Sequence, residues 1–177
     1  ISPEYPIRPN YSRVKDFKNT LELQRGVRVR YGDGWTAKRN DYQDGGVSGG
    51  LFKTINGRSY VIGFEEKETN FLSAEGAYAN GSLKAYAEIQ IHDKPHFIIT
   101  SSVVTGSDRV DYAYISSCPV KTAEACSLPL KSTSNLLFVM LRQNVPNAQY
   151  PVELDFTRED DQQILAEFAE IASTLQY

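Results

Sequence analysis

Apolar and polar residues alternate along much of this chain, which is the pattern of a β-strand with one buried face. Between positions 20 and 31, the apolar side chains fall at alternate positions on each side of Gly26: Leu21, Leu23, Val27, Val29 and Tyr31. Arg28 and Arg30 lie between these residues and therefore point to the opposite face. Gly26 indicates either a bulge or a joint between two strands.

Two Asn-Gly pairs predict tight turns, because both residues tolerate the positive φ of a type I′ hairpin. Asn56-Gly57 separates two β-rich runs, 51–55 and 58–64, and this arrangement predicts a hairpin. Asn80-Gly81 precedes a predicted strand at 82–91, in which the apolar residues again alternate: Leu83, Ala85, Ala87, Ile89 and Ile91.

Further strands are predicted at 97–104, 111–115, 136–143 and 152–156. The stretch 136–143 is a continuous apolar run, which is typical of a central strand. Asp93-Lys94-Pro95 predicts a turn into the strand at 97–104. The polar, glycine-rich stretch 40–50 predicts a long connecting loop.

The chain ends in a predicted helix at 158–175. Thr157 is a suitable N-cap, with Asp160 at the spacing of a capping box. Acidic side chains in the first turn suit the positive end of the helix dipole: Glu159, Asp160 and Asp161. One stripe of the helix is apolar: Ile164, Leu165, Phe168, Ile171, Ala172 and Leu175. At the other terminus, three prolines in residues 1–12 predict an extended surface segment.

The segment Val27–Trp35 resembles the strand-turn-tryptophan opening of PsbP-like domains, and the strand and helix of 152–175 resemble their C-terminal end. The two segments make up about a fifth of the chain. Members of that family usually carry a proline in the turn, and Gly32-Asp33-Gly34 has none. The resemblance implies a twisted sheet flanked by helices and a non-catalytic, partner-binding role. We therefore expect an α+β fold, with a twisted, mainly antiparallel sheet covered by an amphipathic C-terminal helix.

Length and charge narrow the class of protein. The chain has 177 residues, of which 41% are hydrophobic and 23% are charged, as expected of one globular domain spanning residues 1–177. Its net charge of -3 gives no broad positive field, so we expect no nucleic-acid partner. No apolar run approaches the roughly 20 residues that a membrane-spanning helix needs, so we expect no membrane span.

The two cysteines suggest where the protein resides. Cys118 and Cys126 flank a polar, turn-like segment, 119–125, which predicts a disulfide. A disulfide indicates an oxidising compartment and thus a periplasmic or secreted protein, which is also compatible with an Ile1 exposed by removal of a signal peptide. The alternatives are a piece of a longer chain, and two unpaired thiols in a cytosolic protein.

Few residues offer catalytic or metal chemistry. His92 and His96 would be roughly 13 Å apart in an extended strand, too far for one metal ion, unless a turn with Asp93 brought them together. Two further groups of acidic residues are candidates for calcium binding and for glycoside hydrolysis, and neither has a recognised spacing: Asp33, Asp41 and Asp44; Glu65, Glu66 and Glu68. Nucleophile-elbow and phosphate-loop motifs are absent. We expect no metal, no cofactor and no catalytic residue.

Tyrosine and arginine offer better candidates for binding. The chain has 11 tyrosines, and tyrosine is enriched at protein interfaces as well as in strands generally. Arg28 and Arg30 share a strand face within a local basic group. The favoured interpretation is the solvent face of an amphipathic strand; the alternative is that the two arginines hold an acidic partner or a phosphate. The candidate binding residues are therefore Trp35, Tyr86, Tyr112, Tyr114, Arg28 and Arg30.

These features together favour an exported, non-enzymatic protein that binds a macromolecular partner, such as a periplasmic accessory factor or a toxin-neutralising immunity protein. An alternative is a carrier of a small ligand or lipid, with a cavity between sheet and helix. A hydrolase is the third hypothesis.

Overall fold

The structure is a computed structural model and describes residues 7–23, 26–41, 43, 47–67, 84–106, 108–116, 128–129, 136–145, 152–155 and 157–177. Cys118, Cys126 and Asn80-Gly81 lie outside the described residues, so the predictions made for them stay predictions. No helix in the described residues is long and apolar enough to cross a membrane.

The described residues form ten strands, one short 3-10 helix and one α-helix. The strands are β1 Asn19–Glu22, β2 Arg28–Tyr31, β3 Thr36–Asp41, β4 Val47–Ile55, β5 Arg58–Lys67, β6 Lys84–Ile91, β7 Lys94–Thr105, β8 Asp108–Ser116, β9 Leu128–Pro129 and β10 Leu136–Gln143. The 3-10 helix is Tyr11–Asp16, and the α-helix α1 is Glu159–Ala172.

The strands build two antiparallel sheets. β1 and β2 pair with each other, while the larger sheet has the order β3-β4-β5-β10-β8-β7-β6, with β9 also paired to β10. Every ladder in both sheets is antiparallel. The predicted α+β class, a mainly antiparallel sheet with a C-terminal helix, is confirmed. The prediction that 136–143 is a central strand is also confirmed, because β10 lies between β5 and β8.

The first Asn-Gly pair forms the predicted hairpin. β4 and β5 pair in register up to Ile55 and Arg58, which flank a two-residue turn. Asn56 has φ +50° and Gly57 has φ +78°, as a type I′ turn requires. This hairpin touches the helix, because the Asn56 side-chain amide donates to Asp160 Oδ1 at 2.8 Å.

One face of the large sheet packs against α1 to form the core. Side chains buried to 1% exposure or less come from the sheet and from the helix alike: Leu51, Tyr60, Ile62, Ile89, Ile98, Leu141, Ile164, Leu165, Phe168 and Ile171. Ala113 and Ile115 of β8 belong to this core, so the alternation of the strand directs Tyr112 and Tyr114 to the other face of the sheet.

Gly26 is the joint between two strands, with φ +74° between β1 and β2. Val27 and Val29 are buried in the core and leave Arg28 and Arg30 exposed, as the alternation predicted. The chain after α1 returns alongside β2, where Arg28 and Gln176 exchange two backbone hydrogen bonds of 2.9 Å.

The predicted loop at 40–50 is wrong at both ends. At the start of the predicted loop, Asn40 still belongs to β3, and at its end β4 already begins at Val47. Glycine serves close packing here, because a Cβ added at Gly49 would lie 2.7 Å from Leu23 Cδ2 and 3.3 Å from Leu21 Cδ2.

The predicted turn at 93–95 is wrong by one residue. The turn consists of His92 and Asp93, with φ values of +52° and +59°, and Pro95 already lies in β7 opposite Gln90. The ladder between β7 and β8 ends at Phe97, so the missing N–H of Pro95 removes no hydrogen bond from the β7–β8 ladder.

The predicted strand at 152–156 is wrong, because Val152 forms only an isolated parallel bridge with Val110. After Val152 the backbone bonds to a side chain and not to another strand, because the N–H of Leu154 donates to Asp111 Oδ2 at 3.0 Å.

Both predicted terminal elements need correction. α1 begins one residue later and ends three residues earlier than 158–175. Its N-cap is Arg158, without a side-chain cap, because the Thr157 hydroxyl donates to Asp155 Oδ1 at 2.6 Å instead. The expected extended conformation of residues 1–12 is wrong for Tyr11 and Ser12, which begin the 3-10 helix behind the Asn10 side-chain cap.

Candidate functional site

A basic pocket lies where β2, the β6–β7 turn and the chain after α1 meet. It has a volume of about 550 Å³, and its polar lining includes Arg28, Arg30, His92, Thr174, Gln176 and Tyr177. None of the described residues that line this pocket is acidic. Glu22, the cross-strand neighbour of Arg28, lines an adjoining pocket together with both arginines. Two exposed guanidinium groups in one pocket favour a ligand that carries negative charge.

The backbone of β2 fixes both arginines in this pocket. The Arg28 backbone is paired with Gln176, and the Arg30 N–H donates to Thr174 Oγ1 at 2.7 Å. The Arg28 Nε donates to the side-chain oxygen of Gln176, and the two terminal amino groups of Arg28 take no part in this bond. Among the described residues the Arg30 guanidinium has no hydrogen-bond or ion-pair partner.

His92 also lines this pocket, although the sequence suggested it only as a possible metal ligand. Its ring packs edge-on against Tyr177, with ring centroids 4.7 Å apart and planes at 89°. The imidazole is exposed, while the backbone is held by the β6–β7 turn. The sequence did contain a signal for the exposed position of His92: the polar pair His92-Asp93 lies directly between two alternating runs, which is typical of a hairpin turn.

The two histidines lie in different environments. His96 is 5% exposed, and its Nδ1 lies 3.0 Å from the carbonyl oxygen of Lys94. Burial lowers the pKa of His96 below its usual value. Within the described ranges no three His, Cys, Asp or Glu side chains are grouped closely enough to hold a metal ion.

Trp35 lies in a separate groove between α1, the 3-10 helix and the turn before β3. This groove has a volume of about 340 Å³. The indole is 7% exposed, and its Nε1 donates to Glu167 Oε1 at 3.2 Å. The same oxygen accepts from Lys53 Nζ at 2.5 Å, and Glu167 Oε2 accepts from Gln163 at 3.1 Å. Trp35 thus belongs to a partly buried polar cluster, which sequence reasoning did not anticipate.

A second carboxylate of this groove is also neutralised by the chain. Glu170 is 1% exposed and accepts from the Arg13 guanidinium at 2.8 Å and from the Asn10 backbone at 3.2 Å. The Glu170 ion pair therefore ties α1 to the 3-10 helix, and the Glu167 ion pair ties α1 to Lys53 of β4, so each of these two carboxylates has its counter-charge within the protein.

The tyrosine candidates lie far from the arginines in the fold. Tyr112 and Tyr114 stack with ring centroids 6.2 Å apart and planes at 11°, on the sheet face opposite α1. Tyr114 is 9% exposed. Tyr86 belongs to β6, and its side chain lies outside the described residues. The structure thus brings together Arg28 and Arg30, but not with Trp35 or the tyrosine pair, and the binding roles of all these residues stay predictions.

No known protein family, no curated protein and no solved structure matches this chain.

Proposed function

We propose that this chain is a non-enzymatic binding protein that holds an acidic segment of a partner protein in the basic pocket. The observation that supports the proposal is the pairing of two exposed arginines, Arg28 and Arg30, with an exposed imidazole in a cavity whose described lining contains no acidic side chain. Thr174 and Gln176 also line the pocket, where Thr174 accepts from the Arg30 backbone N–H and Gln176 accepts from the Arg28 Nε.

The spacing of the arginines defines the partner more closely. Two residues on the same face of a strand are roughly 7 Å apart. Carboxylates at alternate positions of an extended partner segment repeat over the same distance. Each guanidinium can then take one carboxylate in a bidentate, charge-assisted pair. The ligand class is therefore an extended segment with Asp or Glu at positions i and i+2.

The wider setting of the proposal comes from the sequence. An oxidising compartment, periplasmic or extracellular, follows if Cys118 and Cys126 form the predicted disulfide. The resemblance to PsbP-like domains supports a partner-binding role and, with it, a twisted sheet and an amphipathic α1. A net charge of -3 supports a protein partner rather than nucleic acid.

A pair of matched peptides tests the proposal. The probe is an extended peptide with Glu at alternate positions, and its control carries Gln at the same positions. Binding is measured by fluorescence anisotropy for the wild-type protein, for Arg28→Gln/Arg30→Gln and for Lys18→Gln. Lys18 is an exposed lysine outside the pocket lining, so its replacement removes positive charge without touching the site.

We expect the Glu peptide to bind and the Gln peptide not to bind. The double arginine variant should bind the Glu peptide roughly tenfold more weakly or worse, since two charge-assisted contacts are lost. Lys18→Gln should leave the affinity nearly unchanged. Equal affinity of the double variant and the wild type, or equal losses in both variants, would refute the proposed site.

A further inference from the structure

The strand β3 forms an edge of the large sheet. It pairs with β4, and no other described strand pairs with it, although the Arg39 guanidinium donates to the carbonyl oxygen of Glu22 in β1 at 3.1 Å. Five of its six side chains are exposed. The side chain of Arg39 is 43% exposed and that of Asp41 is 67% exposed, so this edge is open to the surface.

The register of the neighbouring hairpin tells which backbone groups of β3 face outward. A two-residue type I′ turn is closed by a hydrogen-bonded pair, here Ile55 and Arg58. Bonded and non-bonded pairs then alternate along the strand, so β4 uses Phe52, Gly50 and Ser48 to bond β3. Their partners on β3 are Thr36, Lys38 and Asn40.

The remaining residues of β3 therefore direct their N–H and C=O groups away from β4. These residues are Ala37, Arg39 and Asp41. A strand that pairs with this edge must meet them with its own outward-facing residues. The edge is a template for one more antiparallel strand.

The charges on this edge are complementary to those on the same edge of a second copy. If a second copy pairs antiparallel about a two-fold axis at Asn40, then Arg39 of each copy lies opposite Asp41 of the other. Within one chain, Arg39 Nε already lies 3.0 Å from Asp41 Oδ1, so the four charges form one alternating network. The neighbouring register places Arg39 opposite Arg39, which like-charge repulsion disfavours.

We propose that two copies of this chain associate through β3, in the register that pairs Arg39 with Asp41 across a two-fold axis at Asn40. Charged residues on edge strands commonly prevent unwanted pairing. Here the alternation of sign favours the register centred on Asn40, in which residues 39–41 of the two β3 strands face each other, and so also sets the geometry of the dimer. The surface is distinct from the basic pocket, so the proposal does not rest on the proposed function.

Charge reversal tests the proposal by sedimentation velocity over a range of concentrations. The wild-type protein should approach twice the mass of one chain as its concentration rises. Arg39→Asp and Asp41→Arg should each weaken the association roughly tenfold or more, because like charges then meet at two places. The double variant Arg39→Asp/Asp41→Arg restores opposite charges and should associate like the wild type.

The double variant also controls for folding, since an unfolded chain would not regain a defined dimer. A cysteine pair reports the register: Asn40→Cys should crosslink across the axis, while Lys38→Cys should not, because those residues are roughly 13 Å apart in this register. If the wild-type chain stays monomeric at every concentration, the proposal is overturned. The β3 edge would then be a site for a strand of another protein. A dimer insensitive to the single reversals overturns the proposal as well.

Discussion

Asp161 is fully buried at the start of α1, and its carboxylate connects three parts of the fold. It accepts hydrogen bonds from the Tyr60 hydroxyl of β5 and from the Asp155 backbone, the latter at 2.7 Å. An Arg58 amino group lies 3.7 Å away and supplies the counter-charge. Burial and the bond to Asp161 raise the pKa of Tyr60 to about 12, so the phenol stays protonated and donates at all physiological pH values.

Replacing Tyr60 by Phe should therefore destabilise the protein by about 1–3 kcal/mol, because a buried carboxylate loses a donor and water cannot replace it. The matched control is Tyr11→Phe, since the Tyr11 hydroxyl donates at 3.0 Å to the Glu88 carbonyl in an exposed position. Urea denaturation measures both effects. Similar losses in the two variants would contradict a special role for the buried pair.

His96 gives stability a dependence on pH. Its pKa in the folded protein is lowered by burial, so between that value and the unfolded value near 6.5 the unfolded chain binds more protons. The contribution of His96 is complete above about pH 6.5 and is lost as the pH falls below it. We expect the free energy of unfolding to decrease from about pH 7.5 to about pH 5.

The variant His96→Gln isolates this contribution. Urea denaturation across this pH range should show a shallower decrease for His96→Gln than for the wild type. A slope that survives in His96→Gln would assign the effect to other groups.

At the scale of elements, the β4–β5 hairpin offers a matched glycine pair. Gly57 has φ +78° and Gly63 has no positive φ, and a Cβ at either position meets nothing within 4 Å. Gly57→Ala should destabilise by about 1 kcal/mol through strain in the left-handed region. Gly63→Ala should be neutral or stabilising, because Ala reduces the entropy of the unfolded chain.

Thermal and urea unfolding of both alanine variants measure the difference. Equal effects at the two positions would show that the left-handed conformation of Gly57 makes no measurable contribution to the free energy of unfolding.

The sequence predicted elements where one local signal decides the structure. Asn56-Gly57 and the apolar run of β10 are such cases. It failed where a distant segment decides: Gly49 packs closely against the side chain of Leu23, which directly follows β1, and no local pattern contains this contact. The same holds for the candidate site. The alternation predicted the exposure of Arg28 and Arg30, but the arrival of His92 and Gln176 beside them depends on the tertiary fold.

At the scale of the whole molecule, the predicted disulfide should add stability beyond the described core. A bridge between Cys118 and Cys126 is expected to contribute roughly 2.5 kcal/mol by restricting the unfolded chain. Reduction should then lower the melting temperature by roughly 5–10 °C for a chain of this size. Calorimetry with and without reductant, combined with thiol titration, checks this. An unchanged melting temperature together with two titratable thiols would remove the support for an exported protein.

The most direct test of the central claim is to locate the bound acidic peptide by nuclear magnetic resonance. The alternating Glu peptide is titrated into ¹⁵N-labelled protein while the amide and arginine side-chain signals are followed. We predict saturable shifts at Arg28, Arg30, His92 and Gln176, with little change at Trp35. Saturable shifts confined to other surfaces, or none at all, would contradict binding in the basic pocket.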